Sequence, residues 1–364
     1  MKILHVIETL QSGGKERQLL ELVRGLIKAG HDPQILVQAD AIEYEITDIA
    51  DRVHVLARRS RWDLGLIGRT RRFVTQQRPD VIHSWGTMCS VYCVPVSGFG
   101  KIPFVAGHIR DAPSRLNWLD KRLVHGRISE PFAAAVVANS QAGLAAYGVR
   151  SQRAHYIYNG FDFAGRMAAP DPAILAELGI TTRHVVAMVA RFGSHKDHAT
   201  FFAAADQLLA ERADVSFIAI GHGPGLEDWR ARYAGEPRVK LLGRRADVER
   251  IIANISIGVL LTKVGHHGEG ISNALTEMLA ASKPVIATDD GGNRELVGNH
   301  ACGILVPSDD AAAVVVAITS LLADPACAIA LGAAGREAVM TYFTCDAMVA
   351  AYLDLYANIR RDAD

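Results

Sequence analysis

Two consecutive α/β domains, each a doubly wound parallel sheet, are predicted by three observations. The 364 residues suffice for two domains at ~150 residues each. Short apolar runs bounded by turns alternate with amphipathic stretches, as in βαβ units. That alternation also starts afresh after the turn NGFD at Asn159–Asp162.

The elements follow in order. The run ILHVI at 3–7 suits a strand buried on both faces. Gly13-Gly14 precedes a helix at 16–29, whose Leu19, Leu20, Val23, Leu26 and Ile27 fall at 3,4-type spacing, and Gly30 stops it. Strands are expected at 34–37 and 53–56, a helix near 64–76, then strands at 81–83, 103–106 and 135–138. The stretch 164–182, rich in Ala, Pro and Gly, reads as the linker. The second half has strands at 185–189, 216–220, 239–242, 257–261 and 284–287. Helices are expected there at 199–211, 226–233, 247–253 and 272–281, and an amphipathic tail helix at 344–361. The first domain is set at 1–165 plus that tail helix, the second at 183–343.

Composition narrows the class. With 49% hydrophobic and 21% charged residues, the chain is globular; disorder and coiled coil are excluded. Five cysteines do not make a disulfide framework, and none has a His partner at zinc spacing, so a reducing cytoplasmic setting is expected. No run reaches the ~18 apolar residues of a membrane span, and Glu8 interrupts the N-terminal apolar run before any cleavage site. Residues 1–165 carry 21 Lys+Arg against 15 Asp+Glu, the remainder 18 against 24. A basic first half suits an anionic partner, although two solvated surfaces would read the same.

In open parallel sheets ligands sit at the carboxyl ends of strands, so the residues after each strand are the candidates. Gly13 and Gly14 let the backbone approach a ligand, and the following helix offers free N–H groups to phosphate. The turn is not G-x-G-x-x-G, so no dinucleotide fingerprint is present. Arg191 and Lys196, just after the strand at 185–189, suit a diphosphate, Arg as a bidentate clamp and Lys as a point charge. The segment 267–289 (HGEGISNALTEMLAASKPVIATD) is the most informative. Gly270 allows close approach, and Ser272 or Asn273 would cap a helix directly after a strand. Glu269 and Glu277 lie eight residues apart, ~12 Å along a helix, beyond the ~5–9.5 Å between paired glycosidase carboxylates. They are therefore expected to hold different parts of one extended ligand, although Glu277 would read the same as a surface residue of the helix. The loop Gly221–Gly225 (GHGPG) reads as a plain strand–helix turn.

These residues bring a family into view. The chain resembles the GT-B-fold glycosyltransferases of family 4, the retaining "group 1" enzymes that use nucleotide-sugar donors. The match rests on the GG turn, ANS at Ala138–Ser140, NGFD, R-x4-K, EG-x-SNAL with E-x7-E, and PVIATD-x-GG-x-x-E. It implies two Rossmann-like domains facing a central cleft, with a C-terminal helix crossing back to the first. It also implies that Gly13 and Gly14 face the donor phosphates, and that Arg191 and Lys196 neutralise them. Glu269 would contact sugar hydroxyls, Glu277 the ribose, and the backbone at Gly270, Ile271 and Ser272 the sugar or phosphate. His108, in VAGHIRD just past a strand, matches the family's active-site His, with Asp111 a candidate to orient it. Ile271 stands where the family often has Phe, and Ala281-Ser282 where it often has Cys-Gly or Ala-Gly. His266-His267 before the Glu is unusual and suits a role in choosing the sugar, or a solvated loop.

The expected reaction moves a hexosyl unit from a UDP- or GDP-linked sugar to a saccharide or lipid-linked acceptor in polysaccharide or glycoconjugate biosynthesis. No cofactor and no metal are expected, since the chain's only D-x-D is Asp362–Asp364, and no nucleic acid is expected as partner. Arg58, Arg59, Arg61, Arg69, Arg71 and Arg72 suit anionic headgroups on the inner membrane face. Their helix also carries an ordinary core stripe, so a solvated basic face is the simpler reading. Two rivals remain: a nucleotide-sugar 2-epimerase of the same fold, which SNAL with E-x7-E disfavours, and a two-lobed solute-binding protein, which the cationic clamp disfavours.

Overall fold

The computed structural model describes residues 1–11, 13–60, 63–265 and 267–361. Two units emerge, one of Met1–Ala112, Leu116–Gly160 and Cys345–Asp364, the other of Pro113–Arg115 and Phe161–Thr344. The division falls at Gly160/Phe161, so the segment 164–182, expected as a linker, is folded into the second unit. Arg166 and Asp171 tie it there, Arg166 by an ion pair to Glu249 and Asp171 by an ion pair to Arg250 at 3.0 Å.

The first unit runs β1 (Lys2–Ile7), α1 (Gly14–Lys28), β2 (Asp32–Val37), β3 (Val53–Val55), α2 (Gly65–Gln77), β4 (Val81–Ser84), α3 (Thr87–Val96), β5 (Phe104–Ile109), α4 (Lys121–Ser129), β6 (Ala135–Ala138), α5 (Gln141–Tyr147) and β7 (Ala154–Tyr156). The second continues with α6 (Phe163–Arg166), α7 (Ala173–Glu177), β8 (His184–Val189), α8 (His198–Glu211), β9 (Val215–Ile220), α9 (Leu226–Arg232), β10 (Val239–Gly243), α10 (Val248–Ile252), β11 (Ile257–Leu260), α11 (Asn273–Ala280), β12 (Val285–Thr288), α12 (Gly291–Asn293), β13 (Gly303–Val306), α13 (Ala311–Ala323) and α14 (Pro325–Tyr342). The last helix, α15 (Cys345–Arg361), belongs to the first unit.

Both sheets are parallel throughout. Their strand orders are β3-β2-β1-β4-β5-β6-β7 and β10-β9-β8-β11-β12-β13. Each order reverses once, between β1 and β4 and between β8 and β11, and such switch points open a crevice at the carboxyl ends. In the first unit α1 and α15 cover one face of the sheet, with Leu19, Val23, Met348, Tyr352 and Tyr356 in a shared core. Helices α2, α3 and α4 contribute to the core on the other face. Among the described residues no single helix is long and apolar enough to cross a membrane.

Candidate functional site

The best-defined constellation lies at the switch point of the second unit. The loop after β8 and the loop after β11 join by a short antiparallel bridge between Lys196 and Thr262. The Asp197 N–H donates to the Leu261 carbonyl (2.9 Å) and the Lys263 N–H to the His195 carbonyl (3.0 Å). That join brings Lys196 and Glu269, 73 residues apart in sequence, into an ion pair. The Thr262 hydroxyl donates to the same Glu269 oxygen at 2.7 Å. Each of the paired side chains is only 14% exposed. Burial alone would push the Glu269 carboxyl up, but the Lys196 ammonium and the Thr262 bond outweigh it and hold the group below its ordinary value.

Glycines set the backbone around this pair. A Cβ on Gly221 or Gly223 would lie 2.0 Å from the Ala190 or Phe192 carbonyl oxygen. The GHGPG turn therefore braces the chain segment that carries Arg191, whose side chain is exposed. On the other side the Gly292 N–H donates to the Glu269 carbonyl at 2.7 Å, and a Cβ there would meet Gly270 at 2.4 Å. The loop 269–271 is thus held by α12. Ile271 is buried, and Ser272 caps α11, its hydroxyl accepting from the Leu275 N–H.

Glu277 is not a surface residue of α11; it is 6% exposed. Its carboxylate accepts from the Arg166 guanidinium at 3.2 Å, and the same nitrogen pairs with Glu249. Arg166 lies in the segment read as a linker, where composition gave no sign of a charged role. His195 and His267 bring their rings within 5.2 Å beside the Lys196–Glu269 pair, and burial together with Lys196 and the other His lowers the His195 value. His266 lies outside the described residues. Next to the clamp is a pocket of about 240 Å³, lined by Phe192, Lys196, His198, Trp229 and Lys263 among others.

In the first unit, Gly13 caps α1 and Gly14 opens it. The Glu16 carboxylate fills the space beside Gly13, where a Cβ would lie 2.2 Å from its oxygen. Lys15 bridges Glu8 at 2.8 Å and Glu16 at 3.6 Å. Glu8 also lies against Gly86 at the N-cap of α3, so this charged cluster, all of it from the β1 side, reaches across the first switch point to the chain after β4. The sequence reading named only the glycines; the sequence proximity of Glu8, Lys15 and Glu16 was the available signal. His108 lies inside β5 with its ring buried, Nδ1 3.5 Å from the Ser90 hydroxyl and Nε2 3.6 Å from Glu130. Asp111 does not orient it. That carboxylate instead accepts from the Tyr147 hydroxyl at 2.7 Å and pairs with Arg122. The D-x-D at 362–364 lies outside the described residues.

Chemically, the second unit offers a buried carboxylate and an ammonium beside a capped helix N-terminus, a setting for an anion and the hydroxyls next to it. Two family models match the chain, "Glycosyltransferase Family 4" over residues 12–164 and "Glycosyl transferases group 1" over 183–324. A GDP-mannose-dependent alpha-(1-6)-phosphatidylinositol monomannoside mannosyltransferase of Mycobacterium tuberculosis is 30% identical over 197 residues, 51% of each chain. The chain thus spans about half the length of that relative. The lipopolysaccharide core biosynthesis glycosyltransferase LpsE of Rhizobium meliloti is 23% identical over 365 residues, covering 98% of this chain and 99% of its own. Among solved structures, Anabaena HepE in complex with UDP-glucose superposes with a TM-score of 0.86 at 22% identity, over 98% of this chain and all of the other.

Proposed function

Because this chain belongs to the GT-B-fold glycosyltransferases of family 4, the group 1 enzymes, we propose that it is a retaining hexosyltransferase. It moves a hexosyl unit from a UDP- or GDP-linked sugar to a saccharide or lipid-linked acceptor in polysaccharide or glycoconjugate biosynthesis. The observation that carries this reading is the Lys196–Glu269 pair, assembled from both sides of the switch point at the N-terminal end of α11.

In this reading Arg191 and Lys196 take the diphosphate, and the backbone at Gly270, Ile271 and Ser272 meets the sugar or phosphate. Glu269 accepts from sugar hydroxyls and Glu277 from the ribose. Gly13, Gly14 and His108 serve from the first domain. When the nucleoside diphosphate leaves, it takes the electron pair of the anomeric C–O bond, and positive charge develops on the anomeric carbon. The acceptor hydroxyl attacks the same face, and its proton passes to the departing phosphate oxygen. The cations and the helix dipole stabilise the negative charge that grows on that oxygen. They fill the role that a metal ion plays elsewhere, so we propose metal-independent turnover in the cytoplasm.

Relatives leave two donors in view: GDP-mannose is in the mannosyltransferase's name, and HepE was solved with UDP-glucose. A thermal-shift panel of UDP- and GDP-sugars, followed by donor hydrolysis with excess chelator, tests the proposal. A true donor at a hundredfold excess over its Kd stabilises by ~2.7 kcal/mol. No shift and no turnover with any nucleotide sugar would overturn the reading. Activity lost to chelator and restored by Mn²⁺ would overturn its metal independence.

A further inference from the structure

We propose that a pocket at the amino-terminal end of the second sheet binds a small amphiphilic carboxylate, an aryl or medium-chain alkyl acid. The pocket measures about 250 Å³ and lies where β8, β11 and β12 begin, walled by the last turn of α13 and the first of α14. The Lys196–Glu269 pair follows the carboxyl ends of β8 and β11, the six residues of β8 away, or ~20 Å. The pocket is therefore separate from the anion clamp, and the inference does not rest on glycosyl transfer.

Two walls give the ligand its chemistry. One is aliphatic, with Leu321, Leu322, Ala328 and Ile329 along it, and Ile329 is 71% exposed. Benzene fills a cavity of ~150 Å³, so this pocket takes a ring or chain of that size with a polar head. The other wall carries Lys283 and Ser256, and no acidic residue lines the pocket. Asp324, next to the α14 wall, is committed to capping that helix, accepting from the Cys327 N–H at 3.0 Å. Asp214, which faces His184 at 3.7 Å, pairs with Arg212 at 2.8 Å. Burial pushes the Lys283 ammonium below its ordinary value, and no carboxylate among the described residues holds it up. The Ser256 hydroxyl accepts from the Val185 N–H at 3.1 Å and keeps its own proton to donate. A purely apolar ligand would leave the ammonium unpaired, and a bare anion would leave the aliphatic wall uncovered.

The backbone of the polar wall is braced. Ser282 takes a left-handed φ of 57°, and α14 rests on its carbonyl, since a Cβ on Gly332 would lie 2.1 Å from that oxygen. Arg336 donates to the Ala280 carbonyl at 2.7 Å. Little backbone ordering is left for a ligand to impose. The arginines at 58–72 offer no such combination. Arg69 is committed to Asp63, Arg58 lies over the Tyr92 ring at 5.7 Å, and Arg61 is outside the described residues. Arg71 and Arg72 line a groove on α2 whose other residues are Gly68, Thr75 and Gln76.

The full chain is titrated with 3-phenylpropionate, 3-phenylpropanol and acetate, each followed by ligand-observed NMR. The phenylpropionate should bind with a Kd of about a millimolar, the alcohol and acetate each about tenfold more weakly or worse. Lys283→Met should weaken the phenylpropionate by about tenfold or more and leave the alcohol unchanged. Its melting temperature, equal to the parent's or higher because an unpaired charge is gone, shows that it folds. Ala328→Phe, which fills the pocket, should weaken acid and alcohol alike. Equal affinity for acid and alcohol, no binding of the acid, or parental binding of the acid by either variant would overturn the proposal. Lys196→Met should bind the acid as the parent does; loss there would put the carboxylate at the clamp and refute the pocket.

Discussion

Lys196 has two jobs that a single substitution confounds and a pair of substitutions separates. Replacing it by Met leaves Glu269 buried without its ammonium, keeping only the 2.7 Å bond from Thr262. Breaking a buried pair costs ~3–5 kcal/mol; with both side chains 14% exposed, ~3 kcal/mol is the better figure. In a domain of about 150–250 residues that lowers the melting temperature by roughly 6–12 °C. Without the ammonium, burial raises the Glu269 carboxyl above its ordinary value, so the folded state binds a proton the unfolded chain does not. The loss should therefore shrink as pH falls from 7 to 5. Adding Glu269→Gln removes the orphaned charge, and the double variant should regain most of the stability. Nucleoside diphosphate binding should not return with it. A charge-assisted bond is worth ~1.5–3 kcal/mol, about 10- to 150-fold in Kd. Calorimetric titration with UDP and GDP beside thermal melts gives both quantities. If affinity recovers together with stability in the double variant, Lys196 serves the fold and the diphosphate role is wrong.

Three further outcomes are expected. Arg166 positions Glu277, so Arg166→Ala should raise the donor KM with little change in kcat, and Arg166→Lys should restore part of the loss; unchanged kinetics in both would refute that link. Gly223→Ala places a Cβ 2.0 Å from the Phe192 oxygen at φ 149°, and should lower both melting temperature and nucleoside diphosphate affinity. Gly225→Ala, in open space at φ −86°, should change neither, and equal effects would discount the bracing role. His5 is pushed down by burial to about 3, so between pH 6.5 and 3 the unfolded chain binds a proton the folded one does not. Its contribution is lost as pH falls, at up to ~1.4 kcal/mol per unit; a His5→Asn chain melting with the parent's pH slope would contradict this.

Strands at 3–7, 135–138 and 185–189 were legible because a strand buried on both faces needs an unbroken apolar run. β7, AHY at an edge with Tyr156 exposed, carries no such run. α3 escaped notice because apolar residues surround it and Pro95 sits inside it, leaving no amphipathic period to read. At the site, residue types after strands pointed to Lys196, Glu269 and Glu277. Their partners did not show, because pairing across 73 or 111 residues is a property of the sheet order. Asp111 was misread for the same reason: it lies past the end of β5, and its partners Tyr147 and Arg122 come from elements brought there by the fold.

The first unit's helix α15 has a consequence for synthesis on the ribosome. It packs beside α1, burying Met348, Tyr352 and Tyr356 in the core that begins with Ile3. Where the chain leaves this unit and returns, the ends are in contact; a Cβ on Gly160 would meet Cys345 at 2.7 Å. The segment Phe161–Thr344, nearly all of the second unit, is thus an insertion with its two ends at one point. After Gly160 emerges, the ribosome must add the whole insertion before α15 exists, roughly 10–40 s at ~5–20 residues per second. Through that interval the first sheet waits with the apolar flank of α1 uncovered, while the inserted unit can complete its own core. Released chains truncated after Thr344 should therefore hold a protease-resistant second unit and a chaperone-accessible first one.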